Sequence, residues 1–169
     1  MKTFRELAEN QLNQSIDDLD EFSAEEIWLE AKEKAKVQKS KVKSPYTIYK
    51  SKDYYFLIED GNYIAHIDCT ADKIEVGYSI FISTSFSNIR GGYLILINGL
   101  LSIPKIKNII SDQILSTPAT KFWMKVMKDK SMKKRFFNYK DEVQLEFTDF
   151  NKEAQELFKN EEYRVGLYT

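Results

Sequence analysis

Three groups of residues in this 169-residue chain have types and spacings that bear on chemistry. The first is Arg90-Gly91-Gly92, which lies between a run of extended character and the apolar run that starts at Tyr93. A glycine loop that opens a helix presents backbone N–H groups at the positive end of the helix dipole, which suits a phosphate-bearing ligand. Arg90 adds a charge-assisted contact to such a ligand. In a plainer role, Gly91-Gly92 only lets the chain turn from loop to helix. The second group is Asp112, at the end of the short apolar segment Asn108–Ser111. A carboxylate there contacts a substrate amine, or bonds the backbone N–H groups of the turn into the next helix. The third group is His66 and Cys69. His66 has apolar neighbours and reads as structural, and Cys69 has no second histidine to form a Cys–His pair, which argues against a nucleophile. With one Cys and one His in the chain, a zinc site would rest on carboxylates, and no ligand-spaced cluster appears.

The elements that must position these groups follow from periodicity. Lys2–Leu12 reads as a short helix and Gln11–Asp20 as a polar connector. Ser23 with Glu26 three residues later is a capping-box spelling. It predicts a helix carrying Ile27, Leu29 and Ala31, anchored by Trp28, that decays into the basic run Lys32–Lys43 before Pro45. From Tyr46 the pattern becomes extended. Tyr46–Tyr49 and Tyr54–Ile58 are β-branched and aromatic runs, and Asp60-Gly61-Asn62 is a hairpin signal leading to the strand Tyr63–Asp68. Ala71-Asp72-Lys73 reads as the next turn, Ile74–Ile82 as the next strand and Ser83–Asn88 as a polar loop. Gly92–Ile103 is apolar nearly all round, as a helix buried against a sheet would be. Asn108–Ser111 is a short strand. Pro118 fits the first turn of a helix capped by Ser116 or Thr117, with Phe122, Trp123, Val126 and Met127 on its buried side. Strands at Arg135–Tyr139 and Val143–Phe147, a helix at Asn151–Lys159 and a strand at Tyr163–Tyr168 complete the chain. Hairpins followed by an αβα unit predict an α+β fold with a mostly antiparallel central sheet flanked by helices.

Composition bounds the function. A hydrophobic fraction of 43% and an aromatic fraction of 14% describe a folded globule, and a net charge of −1 argues against nucleic acid as a partner. The longest apolar run, Tyr93–Ile103, is broken by Asn98, Gly99 and Ser102 and is too short to span a bilayer, so no membrane partner is expected. The N-terminus carries charge where a secretory leader has its apolar core, and the lone Cys69 suits a reducing cytosol; the expected location is cytoplasmic. Charge is segregated. Lys121–Lys140 holds eight basic residues against Asp129, and Asp141–Glu162 holds eight acids against Lys152 and Lys159. Such blocks meet a partner of opposite charge, or they are solvated faces, or they complement each other within the fold.

Four meander strands, a glycine loop, a helix, a strand and a further helix resemble the GNAT acyltransferase superfamily, whose members carry acyl groups on coenzyme A. Asn88-Ile89-Arg90-Gly91-Gly92-Tyr93 sits where that family has its pyrophosphate loop, and it is similar to a shortened Arg-Gly-x-Gly spelling with Tyr93 in place of the last glycine. Ile109-Ile110-Ser111-Asp112, followed by Ser116, Lys121 and Trp123, is similar to a pattern in GNAT-like proteins of large tailed bacteriophages. The opening Met-Lys-Thr-Phe-Arg-Glu-Leu also resembles the starts of such phage proteins, and Leu7-Ala8-Glu9 matches a form cleaved by some phage prohead proteases. The resemblance covers about 60% of the chain, from Tyr46 to Phe147. It implies an N-terminal helical extension over residues 1–44 and a GNAT-like domain over 45–169. The implied activity is acyl transfer from acetyl-CoA to an amine. Arg90, Gly91 and Gly92 would hold the pyrophosphate, the strand backbone at Ile80, Ile82 and Ser83 would hold the pantetheine arm, Glu75 would act as general base, and Asp112 would meet the amine. The family often has a Tyr acid in the helix after the fifth strand; Ala119–Met132 contains none. The alternative is a GNAT-shaped phage protein without catalysis. It would bind a host or virion protein, in the host cytoplasm or packaged in the virion.

Overall fold

The computed structural model describes residues 21–112 and 115–169. The helix expected at Lys2–Leu12, the connector to Asp20 and the Leu7-Ala8-Glu9 site lie outside the described residues. Those residues form nine strands and four helices, an α+β arrangement in which antiparallel pairing dominates. They divide into two compact units, one ending at Ile109 and one beginning at Ile110.

The first unit starts with helix α1 (Glu21–Ala31), followed by strands β1 (Lys36–Val37), β2 (Tyr46–Ser51), β3 (Tyr54–Glu59), β4 (Asn62–Ile74) and β5 (Gly77–Ser87), helix α2 (Gly92–Leu101) and the first two residues of strand β6 (Asn108–Ile110). Strands β1 to β5 form a meander in chain order, each antiparallel to the next. The β3–β4 connection is the Asp60-Gly61 turn, with both residues at positive φ (47° and 86°), as a two-residue hairpin loop demands. Ser23, expected as a helix cap, falls inside α1, and the helix ends at Ala31; it does not extend through the basic run, where Lys36–Val37 instead pairs with β2.

Successive residues of β2 face opposite sides, and each side has its own helix. Trp28 of α1 meets Tyr49 at 5.3 Å and Phe56 at 5.1 Å between ring centroids. Ala24 and Trp28 are buried with Phe56, Ile58 and Tyr63, whereas Leu29 is 49% exposed. Ile48, the neighbour of Tyr49, packs on Gly99 of α2; a Cβ on Gly99 would lie 2.4 Å from Ile48 Cδ1. With Leu96, Ile97 and Leu100 fully buried, α2 is the apolar helix that its composition requires.

Two sequence expectations fail in the β4–β5 hairpin. Residues 71–73 are strand and exposed, and the turn is Glu75-Val76. Ser83–Ser87, expected as loop, is the second half of β5, where Ala65 pairs with Ser87 and Asp68 with Thr84. Polar residues are tolerated there because a strand needs only backbone partners, and β4 supplies them along its whole length.

In the second unit, helix α3 (Thr117–Lys128) precedes strands β7 (Lys133–Phe137) and β8 (Val143–Phe147), helix α4 (Lys152–Lys159) and strand β9 (Arg164–Tyr168). β7 pairs antiparallel with both β8 and β9. Ser116 caps α3, accepting from Ala119 N at 3.3 Å, and Pro118 sits in its first turn. Trp123, Val126 and Met127 are its buried face, as the spacing predicts. Asn151 caps α4 in the same way, at 2.9 Å from Ala154 N. The basic and acidic blocks meet within this unit. Lys130 pairs with Asp149 at 2.7 Å and Arg135 with Glu146 at 2.6 Å, and Arg164 reaches Asp141.

Candidate functional site

The end of β5 delivers the chain to the Arg90 loop along an anchored path. Asn88 N donates to Ile64 O at 3.0 Å, and its side-chain amide donates to Tyr63 O at 2.9 Å. Ser87 Oγ donates to Ile89 O at 2.8 Å. The corner is therefore tied to β4 on one side and to its own backbone on the other.

The two glycines have different jobs. Gly91 is the N-cap of α2, at φ 86° and ψ −10°, with open space where a side chain would be. Only glycine takes that left-handed backbone at little cost. Gly92 is buried, and a Cβ there would lie 2.4 Å from Ser87 Oγ and 3.1 Å from Ile64 Cγ2. So Gly91 makes the corner and Gly92 lets it pack. Because the N-cap carries no side chain, α2 has no side-chain cap; its first amide, Gly92 N, donates to Ile89 O at 3.3 Å, and the corner is open at Gly91. Arg90 is exposed beside it.

Tyr93, which stands where the GNAT pattern has a glycine, does not project into solvent. It is half-buried and hydrogen-bonded to Ser85 of β5, and burial pushes its hydroxyl pKa upward, with the Ser85 bond acting in the opposite direction.

Further back along β5, Ile80 and Ile82 are buried and Ser83 is exposed. Asp68 pairs with Thr84 and Cys69 with Ile82, which leaves Ser83 opposite no residue of β4. This is a β-bulge, a feature that bends a strand and re-aims its groups, and one often found near binding sites. β6 is held to the start of β5. Lys107 N donates to Tyr78 O at 2.8 Å, and Asn108 Nδ2 donates to Ser79 Oγ at 3.0 Å and Val76 O at 3.3 Å.

Glu75 is exposed in the β4–β5 turn, not within a strand. The 11 residues of β5 separate it from the Arg90 corner, about 36 Å of extended chain. Asp112 belongs to the second unit, where it is exposed at the edge of a small cavity of about 20 Å³ lined also by Ser111, Phe136, Phe158, Glu161 and Tyr163. The N-cap of the helix that follows is Ser116. Of the tyrosines that could stand in for the absent acid, Tyr139 is 74% exposed, Tyr163 lines that cavity, and Tyr168 lies under the Arg135 guanidinium at 3.8 Å.

Neither His66 nor Cys69 has the environment of a reactive group. His66 is buried among Tyr54, Phe56, Tyr63 and Phe86, with Nδ1 2.7 Å from Tyr63 Oη, and burial pushes its pKa down to about 4. Burial pushes the Cys69 thiol up to about 12, despite the opposing pull of Lys50, so thiolate is scarce near neutral pH. Among the described residues no group of three His, Cys, Asp or Glu side chains is placed to hold a metal ion. Among the same residues no helix is long and apolar enough to cross a membrane.

No protein-family model matches the chain, and no curated protein matches it. The functional reading therefore rests on geometry.

Proposed function

We propose that the chain is a GNAT-like acyl-CoA-dependent N-acyltransferase, with acetyl-CoA as the cofactor and an amine as the acceptor. The observation that carries this reading is the corner at the end of β5, where left-handed Gly91 caps α2 without a side chain and exposed Arg90 stands beside it. A pyrophosphate there would accept hydrogen bonds from the amides that follow Gly92, whose own N–H donates to Ile89 O, and pair with the Arg90 guanidinium. The Ser83 bulge interrupts pairing with β4 where the pantetheine arm would run, and its backbone groups are suited to the arm's amides.

In acyl transfer the amine attacks the thioester carbonyl and loses a proton, and the departing sulfur gains one. Glu75 can serve as the base only for a thioester that reaches the β4–β5 turn.

A second reading is favoured by the exposure of Glu75 in a turn and by the lack of tyrosine in α3. In it, the same scaffold binds a host or virion protein without catalysis.

Titration calorimetry with acetyl-CoA and with CoA tests the first reading. Binding of both is the expected result, and no heat at millimolar ligand would sink it. Release of CoA thiol in the presence of amine acceptors then separates the two readings. Binding without thiol release favours the non-catalytic one.

A further inference from the structure

Beyond its first turn, α2 carries a second concavity, which includes neither Arg90 nor Gly91. A groove of about 390 Å³ runs between this helix and the segment that leads into β2, lined by Lys41, Val42, Lys43, Ile95, Asn98 and Gly99 among others. Its volume falls in the range of small-molecule sites. Asn98 and Gly99 lie seven to eight residues past Gly91, about 12 Å along the helix, and the lining residue nearest the corner in sequence is Ile95, one turn past Gly91.

The groove is built, not incidental. Ser102 Oγ donates to Gly99 O at 2.5 Å and accepts from Lys41 N at 2.7 Å, which straps the segment onto the last turn of the helix. Gln38 N donates to Ile48 O at 2.8 Å and Tyr46 N to Lys43 O at 3.0 Å, which hold the segment on either side of the strap. The missing side chain at Gly99 lets α2 lie against Ile48 and Val42; a Cβ there would be 3.5 Å from Val42 Cβ. Val42 and Ile95 make the walls apolar, and Asn98 is exposed at the opening.

Charge supplies the specificity. Lys41 and Lys43 both line the groove and are exposed, and no described carboxylate forms an ion pair with either. α2 contains no acidic residue, and the Glu59 carboxylate beside the groove is engaged by the Tyr46 hydroxyl. An apolar trough flanked by two ammonium groups matches a ligand with an apolar body and one anionic head.

We propose that this groove binds a small amphipathic anion, an apolar body carrying one carboxylate or phosphate. The test follows backbone amide NMR shifts of the full chain on titration with octanoate, octyl phosphate and octanol. The expected result is that an anionic probe shifts the amides of Gly99 and Ser102 and binds about tenfold or more tightly than octanol, the gain that charge-assisted contacts give. The tighter of the two anions assigns the head group. The K41E/K43E variant, changed only at exposed side chains, should weaken the anion by a similar factor and leave octanol unaffected. The proposal is overturned if no probe shifts Gly99 and Ser102, if octanol binds as well as the anions, if the variant binds the anion unchanged, or if the shifts centre on Gly91 and Gly92. The last outcome would place the anion at the α2 N-terminus and leave the acyl-CoA reading standing without this one.

Discussion

The ammonium group of Lys134 donates to the carbonyl of Thr148 at 2.8 Å, deep in the second unit. The same group donates to Met127 O at 3.2 Å and also reaches Asp129 O, so one lysine gathers the last carbonyls of α3 and the end of β8. Lys134 is fully buried although it sits in a basic run that reads as solvent-facing. Three backbone acceptors replace its water, which is what burying an ammonium requires.

Replacing Lys134 with Met keeps the stem and strands those carbonyls. The expected loss is about 3 kcal/mol, the order found when buried acceptors lose a charged partner. Urea denaturation measures it. A loss below about 1 kcal/mol would show that water reaches the site.

His66 makes stability depend on pH in a defined direction. Its folded pKa is pushed down to about 4 by burial, against 6.5 for the free side chain, so the unfolded chain binds the extra proton first. Stability is complete above about pH 6.5 and falls as the pH drops through the window down to about 4. Between pH 7 and 5 this one group costs about 2 kcal/mol. His66→Gln keeps an acceptor for Tyr63 Oη and has no proton to gain. The difference between wild type and variant, compared at the two pH values, should shrink by that amount. An equal pH response in both proteins would assign the loss to other groups.

The Gly91-Gly92 corner predicts a non-additive pair. Gly92→Ala alone should cost about 1–3 kcal/mol, because its Cβ lands 2.4 Å from Ser87 Oγ. Adding Ser87→Ala removes the nearer obstacle, so the double variant should be more stable than Gly92→Ala alone. Gly91→Ala meets no atom but must hold φ near 86°, at a cost of about 1 kcal/mol. Thermal midpoints of wild type, Ser87→Ala, Gly92→Ala, the double variant and Gly91→Ala decide this. If Ser87→Ala and Gly92→Ala simply add, the clash is not the cause.

Arg90→Glu changes an exposed side chain, so the fold should survive it unchanged. If the corner holds pyrophosphate, reversing the charge should weaken acetyl-CoA by more than about tenfold. Calorimetry on the variant measures the effect. Unchanged affinity would move the cofactor elsewhere.

Local chemistry made several elements legible from sequence. Asp60-Gly61 tolerates positive φ, Ser116 and Asn151 carry capping oxygens, and α2 lacks polar faces; each acts within a few residues of itself. The strand–glycine–helix corner was readable for the same reason. What sequence spacing missed depended on distant partners. Residues 83–87 become strand because β4 continues to Ile74 and offers them backbone groups, with Asp68 opposite Thr84. The turn then falls at Glu75-Val76, which moves Glu75 out of any strand. Lys134 is buried because Thr148, fourteen residues on, comes back to meet it. By itself the sequence determined which residues could turn, cap or lie against a sheet, since those preferences are intrinsic to each side chain and its neighbours. Only the tertiary structure decided register and burial, because both are set by chain segments that meet through folding and leave no local mark.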